Sequence, residues 1–235
     1  MNILDLFSGI GGFSLGLERA GMRTVAFCEI DPHARKVLNK HWPDVPVFTD
    51  VSTLSKGDLS EQIDVLAGGF PCQDISTAGL GAGLSGSRSG LWFQYHRLIK
   101  EIQPRYAIIE NVSALRSRGL DQVLWSLFEI GYDAEWHCIP AAAIGAPHQR
   151  DRVWIVAYPH SAHSEGRRLS SGTYAQYADT VSAGWWETEP AVGRVANGLP
   201  GQAHRLKQLG NAVVPQIPEL IGRAIMEYER AKTLG

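Results

Sequence analysis

The fold of this chain is set by its opening stretch, N-I-L-D-L-F-S-G-I-G-G-F-S-L-G-L-E-R-A-G, residues 2–21. Residues 2–7 form a short apolar run typical of a buried strand. Residues 13–21 repeat apolar side chains at helical spacing until Gly21 ends the helix. Three glycines lie between the two segments. The stretch therefore predicts a strand that turns through glycines into a helix, which is a unit of an α/β fold.

Short apolar runs and helical patterns alternate in this way through residues 1–158. Further strands are predicted at 24–30, 64–70, 106–112, 134–140 and 152–158, with one more just before Asp50. Helices are predicted at 31–42, with Asp31 as its cap and Pro32 at its first position, at 90–103 and near 120–130. Strands separated by helices predict an α/β fold with a mostly parallel sheet and helices on both faces.

The alternation stops near residue 159. Residues 159–204 are rich in Gly, Ser, His and Arg and show little periodicity, and a final helix is predicted at 217–231. Loops of this length in compact proteins are usually functional or disordered. We therefore predict a main domain at 1–158, a small irregular insert at 159–204 and a C-terminal segment at 205–235.

The composition excludes several classes of protein. The formal net charge is −2, so any nucleic-acid surface must come from local patches. The three cysteines include no C-x-x-C pair, which argues against a disulfide framework and against a zinc site, and we predict no metal. The N-terminus lacks the pattern of a signal peptide, and no segment has 18 continuous apolar residues. We therefore expect a cytoplasmic protein that does not contact a membrane.

The glycines of the first turn, Gly9, Gly11 and Gly12, let the backbone approach a ligand closely at the start of a helix. Their spacing is not G-x-G-x-x-G, so a dinucleotide site is a weak interpretation. Glu29 follows the second strand, where an acid can accept two ribose hydroxyls, and Asp50 follows the third, where it could bind an adenine amino group. A structural turn with two helix-capping acids would give the same residues. Their shared position at strand ends favours an adenosyl ligand.

A lone cysteine, Cys72, lies in the stretch G-G-F-P-C-Q-D-I-S, residues 68–76, after the fourth predicted strand. Pro71 restricts the backbone beside it. The thiol is therefore a candidate nucleophile at the same sheet edge as the ligand. Most free cysteines are small buried apolar residues, and we assign that role to the other two, which lie within predicted strands. Residues 74–90, rich in glycine and serine, are predicted to form a mobile lid.

Three charged residues further along the chain could serve the same site. Glu110 lies near the end of the strand at 106–112, where it is either a capping residue or, if burial raises its pKa, a proton donor to a ring nitrogen. Arg150 and Arg152 are two apart and are predicted to lie on one face of a strand. Such a pair usually faces solvent unless an anion or a buried acid lies nearby.

Taken in order, these motifs resemble those of the cytosine-5 DNA methyltransferase family. They are D-L-F-S-G-I-G-G, E-I-D, T-D-V, G-G-F-P-C-Q, I-I-E-N-V, H-Q-R-D-R-V-W and, at 208–216, Q-L-G-N-A-V-V-P-Q. The resemblance covers most of the chain and is closest to short members from bacteria and phages. It implies the Rossmann-like sheet of S-adenosylmethionine-dependent methyltransferases, with 159–204 as a target-recognition region and with the closing segment packed back beside the first glycine motif.

The resemblance implies a DNA (cytosine-5) methyltransferase that uses S-adenosyl-L-methionine and acts on double-stranded DNA. Cys72 would attack C6 of a flipped-out cytosine, and Glu110 would hold and protonate N3. Arg152 would steady the O2 side, with Arg150 as a structural or backbone-contacting partner in this catalytic set. The implied cofactor-binding residues are Phe7, Ser8, Gly9, Ile10, Gly11, Gly12, Glu29, Ile30, Asp50, Val51, Pro71, Asn211 and Val213. The implied DNA contacts are Gln73, Ser76, Arg88, Arg167, Arg168 and Arg194.

Two features depart from the family pattern. His148 stands where the family usually has Gln, and the target-recognition region is very short. Because this region is short, the sequence leaves open that a restriction endonuclease or a second copy of the chain acts as a partner. Two other functions stay open as alternatives: cytosine methylation of RNA by the same fold, and an inactive cofactor- or DNA-binding module. The inactive module is expected to have lost the nucleophile or the acid, and both are present here.

Overall fold

The structure, a computed structural model, describes residues 1–71, 90–161 and 209–234. Within them, seven strands form one sheet in the order β3-β2-β1-β4-β5-β7-β6. The strands are β1 (Asn2–Leu6), β2 (Arg23–Cys28), β3 (Val47–Phe48), β4 (Val65–Gly69), β5 (Tyr106–Val112), β6 (Tyr132–Ile139) and β7 (Arg152–Pro159). The α-helices are α1 (Gly12–Arg19), α2 (Pro32–His41), α3 (Gly90–Ile102), α4 (Leu115–Arg118), α5 (Leu120–Glu129) and α6 (Gln216–Leu234).

The strands β1 to β5 pair in parallel, and β7 alone runs antiparallel to its neighbours β5 and β6 among the strands described. The predicted α/β fold with a mostly parallel sheet is confirmed. Parallel strands bring their carboxyl ends to one edge of the sheet. Because β7 runs the other way, its first residue, Arg152, lies at that same edge opposite Val112 of β5. The carboxyl edge of the sheet therefore gathers residues from both ends of strands.

Helices cover both faces of the sheet, as predicted, and each face has its own apolar core. On one face, α3 and α5 bury side chains such as Tyr95 and Val123 against the sheet. On the other face, α1 and α6 bury Leu17 and Ile221. The capping prediction for α2 is also confirmed, since the Asp31 carboxylate accepts hydrogen bonds from the first-turn amides and Pro32 takes the first helical position.

The first and last helices, α1 and α6, pack closely because glycines line their contact. A Cβ atom on Gly16 would lie 2.1 Å from the carbonyl oxygen of Pro215, and one on Gly222 would lie 2.8 Å from the Cβ of Ala20. Glu219 of α6 adds charge pairs to Arg223 on its own helix and, at 3.9 Å, to Arg19 on α1. The C-terminal segment thus lies against the helix that follows the first glycine motif.

Within the described ranges, no helix is long and apolar enough to cross a membrane. Almost all of the predicted insert at 159–204 lies outside the described residues, as does the predicted lid apart from its last residue. The division of the chain at 158 and 204 therefore stays a prediction.

We predict that Gly16→Ala destabilises the protein. In an isolated helix alanine is better than glycine by about 1 kcal/mol, so a gain would be expected if packing did not matter. The clash with the Pro215 carbonyl reverses this sign, and overpacking of this kind costs about 1–3 kcal/mol. Urea unfolding followed by circular dichroism measures the difference.

Gly57→Ala is the matched control, because the nearest atom to its added Cβ is 3.7 Å away. It should change the free energy of unfolding by no more than about 0.5 kcal/mol. A Gly16→Ala variant as stable as this control would show that α1 and α6 are not in the close contact described.

A candidate active site at the carboxyl edge of the sheet

The glycine turn, residues 7–12, connects β1 to α1 in a conformation that few residues adopt. Phe7, Gly9 and Gly11 have positive φ angles of 52°, 54° and 87°. The Ser8 hydroxyl donates to the Asp5 carbonyl at 2.6 Å and accepts from the Cys28 amide at 3.3 Å, which ties the turn to the end of β2. No atom of the described residues lies within 4 Å of a Cβ built on Gly9, so these residues leave space for a ligand over this point of the turn.

An aromatic side chain supports the turn from outside. The Trp42 ring lies so close that a Cβ on Gly11 would come within 2.6 Å of it. Its indole N–H donates to both carboxylate oxygens of Glu18 at 3.0 Å, and its ring packs at 5.3 Å on Phe27. Gly11 must therefore be glycine for two reasons, its φ angle and this ring.

Glu29 binds the glycine turn directly. It follows β2 and is 8% exposed. One carboxylate oxygen accepts from the Gly9 amide and the other from the Asp31 amide, both at 2.7 Å. Each oxygen keeps a second lone pair for a ligand hydroxyl. The neighbouring Ile30 is 75% exposed and offers an apolar surface at the same place.

The next predicted cofactor residues differ from each other in exposure. Asp50 is exposed, and hydrogen bonds from the hydroxyl and amide of Ser52, at 2.7 and 2.8 Å, lower the pKa of its carboxyl. Val51 is buried in the core with 6% exposure, so only its backbone is available to a ligand. Asp50 is therefore an exposed carboxylate, and Val51 offers only its backbone atoms to a ligand.

Asp5 is a buried acid that is not among the predicted site residues. Its carboxylate accepts from the Ser14 hydroxyl at 2.8 Å and the Ser14 amide at 3.3 Å, near the start of α1. The other oxygen has no hydrogen-bond partner in the described residues. Burial raises the pKa of Asp5 to about 8, and Glu29 and Glu18 add to that rise. A charged residue inside the apolar run at 2–7 was the signal that could have found it.

The turn that leads into Cys72 is held by Asn111, a residue of the I-I-E-N-V motif with no predicted role. Asn111, 2% exposed on β5, donates through its side chain to the Phe70 carbonyl at 3.1 Å. The Phe70 ring packs at 5.3 Å on Trp92 of α3. Pro71 is partly buried at the end of this turn. Asn111 and Trp92 therefore position the backbone up to the residue before the cysteine.

The predicted acid, Glu110, lies at the carboxyl edge with its side chain 12% exposed, and it is paired with Arg152. The Arg152 Nε lies 2.9 Å from a Glu110 carboxylate oxygen. Burial raises the pKa of Glu110, while Arg152 and, less strongly, Arg150 lower it. A Cβ on Gly69 would lie 2.7 Å from the other Glu110 oxygen, so Gly69 makes room for the carboxylate. The structure thus brings Glu110 and Arg152 together, and their catalytic roles stay predictions.

The prediction that Arg150 and Arg152 share one face of a strand is wrong. The strand β7 begins at Arg152, and Arg150 precedes it with a φ angle of 36°. The two side chains diverge because Arg150 bonds the closing segment, residues 209–215, instead of the sheet. Its guanidinium donates at 2.7 Å to the carbonyls of Gly210 and Ala212. Arg150 therefore contacts protein backbone in the described structure, and its role in the implied catalytic set stays a prediction.

The closing segment packs against the start of α1, where the glycine turn ends. The Val213 carbonyl oxygen would lie 2.7 Å from a Cβ on Gly12, and Asn211 is exposed beside it. A pocket of about 500 Å³ lies at this segment and is lined by His148, Arg150, Leu209 and residues 212–216. Its lining includes Gln216, whose buried side-chain oxygen has no hydrogen-bond partner in the described residues.

Several predicted site residues lie outside the described residues. They are Cys72, Gln73, Ser76, Arg88, Arg167, Arg168 and Arg194. Their roles stay predictions. Of the other two cysteines, Cys28 is buried as predicted, but Cys138 is exposed on β6, so the prediction of a buried residue is wrong there. In the part of the chain that is described, no group of three or more His, Cys, Asp or Glu side chains is placed to hold a metal ion.

Comparison with known proteins points to one family. A family model for C-5 cytosine-specific DNA methylases matches residues 1–199. The chain is 40% identical over 214 residues to the Type II methyltransferase M.CviJI of Paramecium bursaria Chlorella virus IL3A, covering 90% of this chain and 56% of the relative. It is 38% identical over 165 residues to the Type II methyltransferase M2.BsuMI of Bacillus subtilis, covering 67% of this chain and 42% of the relative. The chain thus spans about half the length of these curated relatives.

Solved structures agree with this comparison. A prophage-encoded E. coli protein assigned as a DNA modification methyltransferase superposes with a TM-score of 0.61 at 29% identity, over 74% of this chain and 50% of that one. The S. pombe Dnmt2 methyltransferase superposes with a TM-score of 0.57 at 22% identity, over 68% of this chain and 51% of that one, and shows the fold alone.

We predict that Asp5 makes the protein less stable as pH rises from about 4 to about 8. In the folded state its pKa is about 8, against an ordinary value of 3.8. The folded protein therefore binds more protons than the unfolded chain in this window, and the free energy of unfolding falls as the pH increases. Asp5→Asn removes the titration, so the variant should lose less stability than wild type between pH 5 and pH 8.

Denaturant unfolding of wild type and of Asp5→Asn at pH 5 and pH 8 measures how much stability each protein loses between the two pH values. Asp44→Asn, which changes an exposed acid, should follow wild type. An Asp5→Asn variant with the pH dependence of wild type would show that the buried carboxyl keeps an ordinary pKa.

Proposed function

Because the chain belongs to the C-5 cytosine-specific DNA methylase family, we propose that it transfers a methyl group from S-adenosylmethionine to C5 of cytosine in double-stranded DNA. The observation that best supports this is the pairing of Glu110 with Arg152 beside the Asn111-held turn that leads into Cys72. The turn after β4, Glu110 on β5 and Arg152 on β7 lie one, two and three strands away from β1, the strand that leads into the glycine turn. The designation of the relatives as Type II methyltransferases supports a place in restriction–modification, with a restriction endonuclease as a partner.

Cytosine C5 is a poor nucleophile, so the ring must first be activated. In the proposed reaction the Cys72 thiolate forms a bond to C6, and the displaced ring electrons make C5 electron-rich while Glu110 donates a proton to N3. Burial favours the protonated Glu110 that this step needs. The Arg152 guanidinium, which is held by Glu110, donates to the O2 side of the ring in this proposal.

The remaining steps restore the ring and the enzyme. S-adenosylmethionine, when bound, supplies the methyl group as an electrophile on its sulfonium sulfur and leaves as S-adenosylhomocysteine. A base then takes the C5 proton, the electrons of that C–H bond expel the Cys72 thiolate, and Glu110 recovers its proton from N3. Because the target atoms are inaccessible in a duplex, the cytosine must leave the base stack to reach these residues.

The residues of the glycine turn fit S-adenosylmethionine. The open space over Gly9 admits a ligand against the backbone, and the Glu29 carboxylate has lone pairs for two ribose hydroxyls. Exposed Ile30 and the anionic Asp50 suit the apolar face and the amino group of adenine. The carboxyl edge of an open α/β sheet is the usual place for such a ligand.

We predict that Cys72 forms the covalent bond to the base. Wild-type protein with S-adenosylmethionine and DNA containing 5-fluorocytosine should give a denaturant-resistant adduct, because the fluorine cannot leave as a proton and Cys72 stays attached. Cys72→Ala should form none, while Cys138→Ala, which changes an exposed cysteine, should react like wild type. An adduct that persists in Cys72→Ala would overturn the assignment, and a parallel methyl-transfer assay with DNA and tRNA separates the DNA proposal from its RNA alternative.

We also predict that Glu29→Ala weakens S-adenosylmethionine binding. The variant removes the acceptor for the ribose hydroxyls and for the Gly9 amide, and an unpaired group costs about 1–3 kcal/mol. Titration calorimetry should show the weaker binding with little change in DNA affinity. Glu129→Ala, at an exposed acid of α5, is the control and should bind as wild type does. Equal affinities in the two variants would refute the role of Glu29.

A further inference from the structure

Arg150 bonds a segment of backbone with both ends of its guanidinium. One terminal nitrogen donates to the Gly210 carbonyl and the other to the Ala212 carbonyl, each at 2.7 Å. The planar fork of arginine suits two fixed acceptors in this way, and lysine cannot reproduce it. The side chain therefore directs its fork inward at the protein rather than outward at a phosphate.

The segment that Arg150 holds lies directly on the glycine turn. Val213 follows the bonded Ala212, and its carbonyl oxygen would lie 2.7 Å from a Cβ on Gly12. Two residues on, the Pro215 carbonyl lies against Gly16 of α1. Any shift of residues 210–213 would therefore move atoms that touch the start of α1, where the cofactor is proposed to bind.

Arg150 is also close in sequence to Arg152, one of the residues proposed to bind the cytosine. It precedes Arg152 by two residues, and Arg152 pairs with Glu110 at 2.9 Å. Arg152 further donates to the Asp151 carbonyl at 2.8 Å. The φ angle of 36° at Arg150, unusual for a residue with a side chain, turns the chain so that the two guanidinium groups point to different partners.

We propose that Arg150 is a positioning residue that holds residues 210–213 over the glycine turn and so couples the Glu110–Arg152 pair to the cofactor side. It contacts neither the cytosine nor the DNA backbone. The inference deepens the proposed function and rests on it for the identity of the ligand, S-adenosylmethionine. The expected result of losing Arg150 is a looser closing segment and weaker cofactor binding, with the DNA contacts unchanged.

The first test is amide hydrogen exchange in the cofactor-free protein. Arg150→Lys keeps the charge but loses the fork, so peptides covering 209–214 should exchange faster than in wild type. Peptides covering α5 should exchange at the wild-type rate, which shows that the fold is intact. Arg150→Ala should give the same pattern with a larger effect. Unchanged exchange at 209–214 in both variants would overturn the proposal.

The second test separates cofactor binding from DNA binding. Calorimetry should show an S-adenosylmethionine dissociation constant raised about tenfold in Arg150→Lys, the scale expected when a hydrogen bond to a charged group is lost. In steady-state kinetics, KM for S-adenosylmethionine should rise more than kcat falls. The slope of log DNA affinity against log salt should stay at its wild-type value, since no phosphate contact is removed.

Arg223→Lys is the matched control. Its guanidinium pairs with Glu219 on the same helix, so exchange at 209–214 and cofactor affinity should stay as in wild type. A shallower salt slope with unchanged cofactor affinity in Arg150→Lys would show a phosphate contact and overturn the positioning role. Absence of S-adenosylmethionine binding to the wild type would refute the proposed function instead, while hydrogen exchange would still report on the contact with 210–213.

Discussion

The site depends on one close contact, between the backbone of the closing segment and the start of α1. The Val213 carbonyl can approach Gly12, and the Pro215 carbonyl can approach Gly16, only because neither glycine carries a side chain. Residues almost 200 positions apart in sequence thereby meet at the glycine turn. On the far side of the turn, Glu29 binds the Gly9 amide. The turn is therefore held between the second strand and the end of the chain.

A row of aromatic rings relates this turn to the one that carries the proposed nucleophile. Phe7, with its positive φ angle, stacks at 6.4 Å on Tyr95, and Tyr95 stacks at 5.9 Å on Trp92. Trp92 in turn packs on Phe70. Both central rings belong to α3, and the Tyr95 hydroxyl donates to carbonyls of β4 and β5. One helix thus sets the spacing between the glycine turn and the turn that leads into Cys72.

The carboxyl groups of Asp5 and Glu110 both have raised pKa values, but the neighbours that act on each of them differ. Asp5 has hydrogen bonds from Ser14 and acidic neighbours, and burial raises its pKa to about 8. Glu110 is partly buried, and desolvation raises its pKa, but Arg152 beside it opposes the rise. A group that must give up and recover a proton benefits from such opposing influences. Asp5 instead accepts hydrogen bonds from Ser14 near the start of α1, and burial keeps its carboxyl protonated up to a pH of about 8.

The sequence by itself determined the order of the strands and of every α-helix but the short α4, and the capping of α2 by Asp31, because these depend on local periodicity and short motifs. Short motifs also made Glu110 and Arg152 candidates for the site. It also indicated that Glu29 and Asp50 follow strands whose ends meet at one edge. Only the tertiary structure decided the reversed direction of β7, the divergence of Arg150 from Arg152 and the burial of Asp5 and Asn111. Local patterns do not record which distant segment packs on a residue. The contact of Arg150 with 210–212 and that of Val213 with Gly12 join parts of the chain that no short-range signal relates, and they exist only once the sheet has brought its two ends together.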